Sequence, residues 1–188
     1  ENDGFIDNGF LDRSEGTVDQ VAGRLKLVAE LGYDWSVRLS TQMSETDSDY
    51  APWQLYQADE DALAYSRQFD EDVEDDITDE HTSFDTPGFV TRSSDLTRAV
   101  VEYDQSGWFG LPMLRHTAVV GHAAFDLATI IDIDVSPANL IITDFRNDYA
   151  QDSVEVRSAG QSNSLFGFGQ EVDFVIGIYG FQSDLESH

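Results

Sequence analysis

From Arg24 to Met43 the chain reads RLKLVAELGYDWSVRLSTQM, and the beat of that stretch is two. Leu25, Leu27, Ala29 and Leu31 alternate with Arg24, Lys26, Val28 and Glu30. After Gly32-Tyr33-Asp34 the beat resumes, with Trp35, Val37, Leu39, Thr41 and Met43 set against Ser36, Arg38, Ser40 and Gln42. Successive side chains of a strand point to opposite faces, so this period specifies a hairpin with one apolar and one polar face. The apolar face must be covered by a protein core or by lipid, and the function turns on which.

Charge narrows the partners. The 188 residues carry 37 Asp plus Glu against 10 Lys plus Arg, a formal −27. Nucleic-acid binding needs a basic footprint and is excluded as a partner class; charge-driven docking on anionic headgroups is disfavoured too. A hydrophobic share of 40% rules out wholesale disorder. Cysteine is absent, so there is no disulfide framework, thiolate metal site or cysteine nucleophile. No run of about 18 apolar residues is present, which excludes a transmembrane helix but not a transmembrane strand, whose signal is only about ten alternating residues.

Further strand signals follow the hairpin at long intervals. Residues 1–20 are rich in Asp, Asn and Gly and read as loop. Residues 44–95 form a long polar stretch that holds most of the acidic surplus, with a short helix suggested near Asp59–Gln68, where Leu63 and Arg67 stand one turn apart. Ala99, Val101 and Tyr103 then alternate with Arg98, Val100 and Glu102, and Gln105-Ser106-Gly107 reads as a tight turn. The segment from Trp108 to Phe125 is apolar but poorly periodic, and Pro112 interrupts it; a local insertion or deletion is one reading of that irregularity. Residues 126–149 read as loop, 151–160 as a strand with Val154 and Val156 on one face, Gly160–Gln170 as a turn, and the last strand carries Phe174, Ile176 and Ile178. Strand pairs near 22–43, 96–125 and 151–183 are thus joined by short turns on one side and long polar connections on the other, the layout of an outer-membrane barrel. The expected fold is all-β: an antiparallel up-and-down meander, a partial transmembrane β-barrel of roughly six strands with long acidic loops.

Several short motifs carry a resemblance. DGFIDN at Asp3–Asn8, RLKL at Arg24–Leu27 with the turn Gly32–Asp34, SVEVR at Ser153–Arg157 and VIGIYGF at Val175–Phe181 together resemble, in order and spacing, the barrel of TonB-dependent outer-membrane receptors. The resemblance implies energised uptake of a scarce, bulky nutrient such as a ferric siderophore, cobalamin or an oligosaccharide. It also implies outer-membrane lipid as a partner, and coupling to the TonB energy-transducing system through parts this chain does not carry. Such barrels close with about 22 strands; with no plug-like segment and no TonB-contact box, residues 1–188 read as one internal segment of the barrel. The alternative from another class is a secreted or haloadapted acidic all-β binding module, with calcium as a candidate ion.

Candidate sites are few. Tyr50, Trp53 and Tyr56 cluster in the long loop and suit stacking on sugar rings or planar siderophore groups. The same residues suit packing on the barrel rim, while Trp35, Tyr103, Trp108 and Tyr179 lie near strand ends, where an interfacial aromatic girdle belongs. The acidic run Asp70–Asp76, with Asp79 and Glu80, offers carboxylates for Ca²⁺ but lacks the turn glycine and alternating spacing of an EF-hand loop, and reads as a solvated face. His81, His116, His122 and His188 lack the spacing of a metal pair. No nucleophile elbow or phosphate-cradling glycine loop is present, so no catalytic residue, metal ligand or cofactor is assigned and the chain is not expected to be an enzyme.

Overall fold

The structure, a computed structural model, describes residues 4–49, 53–108, 111–162 and 172–188. Most of these residues lie in one six-stranded antiparallel sheet in which sequential strands are neighbours. Two three-residue strands come first, β1 (Ile6–Asn8) and β2 (Arg13–Glu15), followed by the hairpin strands β3 (Val18–Leu31) and β4 (Trp35–Asp49). The helix α1 (Glu60–Ser66) and the short β5 (His81–Thr82) lie in the long connection to β6 (Phe89–Trp108). The sheet continues through β7 (Leu111–Asp132), β8 (Ile142–Ser162) and β9 (Val172–Ser187). Among the described residues the meander β3-β4-β6-β7-β8-β9 is open, with β3 and β9 at its edges. The expected all-β meander is what the chain forms.

Register puts the alternating residues where their period places them. Leu27, Leu39, Ala99, Val120, Val154 and Gly180 stand opposite one another across all six strands, and the row beside them is Ala29, Val37, Val101, Ala118, Val156 and Ile178. These two rows are wholly apolar, yet no second layer covers them: Leu27 is 54% exposed, Val120 53% and Ile178 77%. Buried apolar side chains are few, namely Ile6, Val73, Phe84, Val100, Leu114 and Ala138. A two-layer body sealed around these leucines and valines, as a sandwich requires, is not what the described residues form.

On the same face, moving from the short turns toward the long connections, apolar residues give way to carboxylates. The first met is Asp19 in β3, Glu45 in β4, Asp95 in β6, Asp126 in β7, Asp152 in β8 and Asp184 in β9. Traced through the register, this boundary retreats by about four to six residues from β3 to β8 and β9. With ~3.3 Å per residue and ~4.8 Å between strands, it is inclined by roughly 30–45° to the perpendicular across the strands.

The strands run further than alternation suggests. β7 has 22 residues and β8 has 21, so residues 126–132 and 142–149, read as loop, are strand, and only residues 133–141 connect the two. In the same way β4 continues to Asp49, β6 starts at Phe89, and the N-terminal stretch contains β1, β2 and the start of β3. Beyond the apolar rows β4 is polar on both faces and the outer parts of β6, β7 and β8 mix apolar and polar residues without a clean alternation, so hydrophobic period falls silent while backbone pairing continues, helped by cross-strand bonds such as Ser44 Oγ to Ser94 Oγ at 2.8 Å and Ser93 Oγ to Asp126 Oδ2 at 2.9 Å. The irregular 108–125 segment needs no insertion or deletion. It is continuous β7 strand from Leu111, with apolar or small residues on both faces (Val119, Gly121 and Ala123 behind Ala118, Val120 and Ala124). Gln105–Gly107, expected as a turn, lie inside β6, which runs on to Trp108. Gly107, at φ +67°, faces Pro112 at the one step where the ladder is skipped, because proline has no N–H to donate. β8 likewise runs through Gly160 to Ser162, past the start of the expected turn.

Candidate functional site

The long-connection end of the sheet carries a small cap. β1 pairs antiparallel with β2 and parallel with β5, Asp7 opposite His81, which ties the N-terminal segment to the long connection. Beneath it lies a polar network. Glu15, 1% exposed, takes Arg13 Nε at 2.6 Å and Arg13 Nη2 at 2.5 Å, and Asn8 Nδ2 bridges Glu15 Oε1 to the Phe84 carbonyl. Arg13 Nη2 also reaches Asp49 Oδ1 at 3.4 Å, and Thr17 Oγ1 donates to the other Asp49 oxygen. One arginine therefore couples the cap to the end of β4.

The aromatic candidates sit on this end. Trp53 is 45% and Tyr56 64% exposed; Tyr50 lies outside the described residues. The segment that presents them is held to β5: Thr82 Oγ1 donates to the Trp53 carbonyl at 2.9 Å, and Gln54 Nε2 donates to the His81 carbonyl at 2.9 Å and to Asp79 Oδ1 at 3.2 Å. The expected short helix is α1, capped by Asp59, whose Oδ1 accepts from Ala62 N at 2.8 Å. On and just after it Tyr65 and Phe69, four residues apart, meet edge to face at 5.4 Å and are also exposed. Sequence reasoning misses this pair because Leu63 and Arg67 alone mark the helix, although a four-residue spacing of aromatics is itself a helical signal.

Where the 83–88 strap crosses the 133–141 connection, Asp132 lies within the fields of Asp85 and Asp134. Asp132 ends β7, well beyond the apolar rows, and is 6% exposed. Val135, at φ +51°, turns the chain so that its N–H reaches Asp132 Oδ1 at 3.2 Å, Oδ2 is enclosed, and the carboxyl shares a hydrogen bond with Asp85 and faces the Thr86 backbone N–H. Burial, reinforced by the charges of Asp134 and Asp85, pushes the Asp132 carboxyl up to about 7. Asp85 N–H donates to the Ser136 carbonyl at 3.3 Å. These residues are up to 49 positions apart in sequence, and no local pattern marks them as neighbours.

Among the described residues two groups bring metal-capable atoms within 4.8 Å of one another: Glu74, Asp79 and the half-buried His81 in the long connection, and the exposed Asp148, Glu186 and His188 on β8 and at or beyond the end of β9. A hydrogen bond shared between their carboxyls raises Glu74 and lowers Asp79. His116 and His122 do not converge on a metal. His116 bonds Ser158 Oγ at 2.8 Å and Gln105 Oε1 at 3.1 Å, and His122 pairs with Asp152 at 2.8 Å.

Toward the short turns, Trp35 stacks on Tyr103 at 4.5 Å and Tyr103 on His116 at 6.0 Å, an aromatic ladder edging the apolar rows. Tyr179 does not join it. Its partner in register is Glu155, which places it on the opposite, polar face; the two residues are an odd number of positions from Val156 and Ile178. The Trp108 side chain lies outside the described residues. The polar face gathers Arg24, Lys26, Arg38 and Arg98 along one shallow groove, with Arg38 paired to Glu102 at 2.7 Å. No helix among the described residues is long and apolar enough to cross a membrane, which leaves strands untouched as a means of crossing.

Compared with known protein families and with curated proteins, the sequence matches none.

Proposed function

We propose that this chain is a stretch of the wall of an outer-membrane receptor of the TonB-dependent kind, taking up a scarce, bulky nutrient such as a ferric siderophore, cobalamin or an oligosaccharide. The observation that carries the reading is the pair of wholly apolar, uncovered rows running across all six strands. Apolar area on that scale is unfavourable in water at about 25 cal/mol per Å² and calls for lipid or a partner surface. Three further features agree with lipid. The aromatic ladder Trp35–Tyr103–His116 lies where an interfacial girdle belongs. The oblique edge of the apolar zone fits strands tilted by about 35–45° in a bilayer. The opposite face, with its Arg, Lys and Glu side chains, suits a water-filled lumen.

On this reading the long strands carry the acidic connections well outside the bilayer, since 22 residues span about 70 Å and a hydrocarbon core only about 30 Å. Trp53 and Tyr56 then offer stacking surfaces at the mouth. The many carboxylates keep that mouth hydrated and repel anionic ligands unless a cation bridges them. Energy coupling comes from the TonB system through parts of a receptor outside this chain, and further strands pair with the open edges of β3 and β9.

The test is location and capture by cells making the whole receptor. Detergent should be needed to extract it from the outer membrane, and an epitope inserted after Asp75 should be labelled on intact cells. Trp53→Ala with Tyr56→Ala should weaken capture of the nutrient about tenfold, at ~0.5–1.5 kcal/mol per aromatic contact. A protein that stays folded in detergent-free buffer and leaves the membrane fraction empty would return the chain to the acidic binding-module reading.

A further inference from the structure

Positive charge is scarce in this chain and concentrated in one place. Against 37 Asp plus Glu there are only 10 Lys plus Arg, yet four of these cations, Arg24, Lys26, Arg38 and Arg98, line a single groove of about 330 Å³ on the polar face. Register explains how they meet. Lys26, Ser40 and Arg98 stand side by side in one row across β3, β4 and β6, and Arg38 occupies the next row, between Val28 and Val100. Arg24 follows two residues from Lys26 on the same strand. Lys26 and Arg98 are thus two strand spacings, about 10 Å, apart at the backbone, and both long side chains can reach a group held over Ser40. Carboxylates do not offset this charge. On the polar face of the six strands they occur only level with Arg38 or nearer the short turns, at Glu30, Glu102, Asp104, Glu155 and Asp173. Arg38 pairs with Glu102, whereas Arg24, Lys26 and Arg98 pair with no carboxylate among the described residues. Neighbouring like charges on a sheet repel, so three uncompensated cations in so acidic a chain mark a place for an anion supplied from outside.

We propose that this groove binds a small multivalent oxyanion, a molecule carrying two or more carboxylate or phosphate groups. The guanidinium forks of Arg24 and Arg98 match such oxygens in bidentate geometry, and Lys26 adds a point charge. Ser40, between Lys26 and Arg98, adds a hydroxyl donor. Val28 and Val100, the latter 7% exposed, give the groove an apolar lining, which keeps water from one side of the ion pairs and strengthens them. The volume stands at the lower end for small-molecule sites and suits a compact anion. The acidic connections do not oppose this binding. Phe89, where β6 begins, is about 30 Å from Arg98 along the strand, several Debye lengths at physiological salt. The groove is complete on the polar face, whether lipid or another body covers the apolar one.

The experiment is a calorimetric titration of the intact protein in a neutral detergent with two probes, inorganic pyrophosphate and tricarballylate, which separate phosphate from carboxylate recognition. Wild type should bind at least one of them at a single saturable site, and raising NaCl from about 0.05 M to about 0.5 M should weaken binding about tenfold through screening. Lys26→Gln and Arg98→Gln should each weaken it about tenfold, as expected for a hydrogen bond to a charged group, and the triple change with Arg24→Gln should abolish it. Without ligand these changes relieve repulsion, so the triple variant should melt at or above wild type. Arg146→Gln, on the opposite face of β8, removes the same charge and should leave binding intact. No saturable binding of either probe, binding retained in the triple variant, or equal loss in Arg146→Gln would each overturn the proposal. A triple variant that melts well below wild type would do so too, by showing that these cations serve the fold.

Discussion

Arginine placed along β7 separates lipid from water residue by residue. Ala118, Val120, Ala124 and Ala128 share the apolar face of that strand, and Val119 lies on the other face one position away. Ala118 and Val120 belong to the two wholly apolar rows. Ala124 is four residues further along, about 13 Å up the strand and roughly 10 Å along the normal for a strand tilted near 45°. Against lipid, arginine at the first two positions should cost about 2–4 kcal/mol, at Ala124 about 0–1, and at Ala128 nothing measurable. Val119→Arg, facing a watery lumen, should cost under about 1 kcal/mol although its neighbours on either side are the costliest positions. Were the face bathed in water, each substitution at these part-exposed positions would fall within about 0.5 kcal/mol of wild type. Urea titrations of the receptor refolded into phosphatidylcholine vesicles, followed by tryptophan fluorescence, measure the series. A flat profile, or a Val119→Arg cost matching that of Val120→Arg, would refute the lipid-facing assignment.

Two further outcomes probe the cap and the carboxylate cluster. Arg13→Ala strips the buried Glu15 carboxylate of its ionic partner and should weaken the cap by about 3 kcal/mol, seen as faster amide exchange across residues 5–17 while exchange in β6 to β8 is unchanged; unaltered exchange would show that Arg13 does not hold the cap. The raised carboxyl of Asp132 makes the protein prefer acid: its contribution is complete below about pH 4, the unfolded value, and is lost as pH rises through about 7. The melting midpoint of wild type should therefore fall between about pH 4 and 7 relative to Asp132→Asn, and parallel pH profiles would refute the assignment.

Much of the sheet was legible. The period of two in 24–43, 98–103 and 153–156 put Leu27, Leu39, Val101 and Val156 on one face, and the register keeps them there. The helix beginning after Asp59 was legible because Leu63 and Arg67, one turn apart, are a local signal, whereas its Asp59 cap emerged only in the structure. β7 was not, because alternation is a contrast between faces and a strand with alanines and valines on both has none. The outer parts of β4, β6 and β8 stay hidden for the same reason.

The cap and the carboxylate cluster belong to a different order of information. β1 and β5 are too short to carry a pattern, and nothing near Asn8 announces that it will bridge Glu15 to the Phe84 carbonyl. What the sequence determined by itself is the alternation, hence the strands, their two unlike faces and the direction in which charge accumulates. What only the tertiary structure decided is which distant side chains share one small volume. The physical reason is range: side-chain alternation is set between neighbours along the chain, whereas the burial that raises the Asp132 carboxyl arises only when a strap from residues 83–88 closes over a loop some fifty residues away.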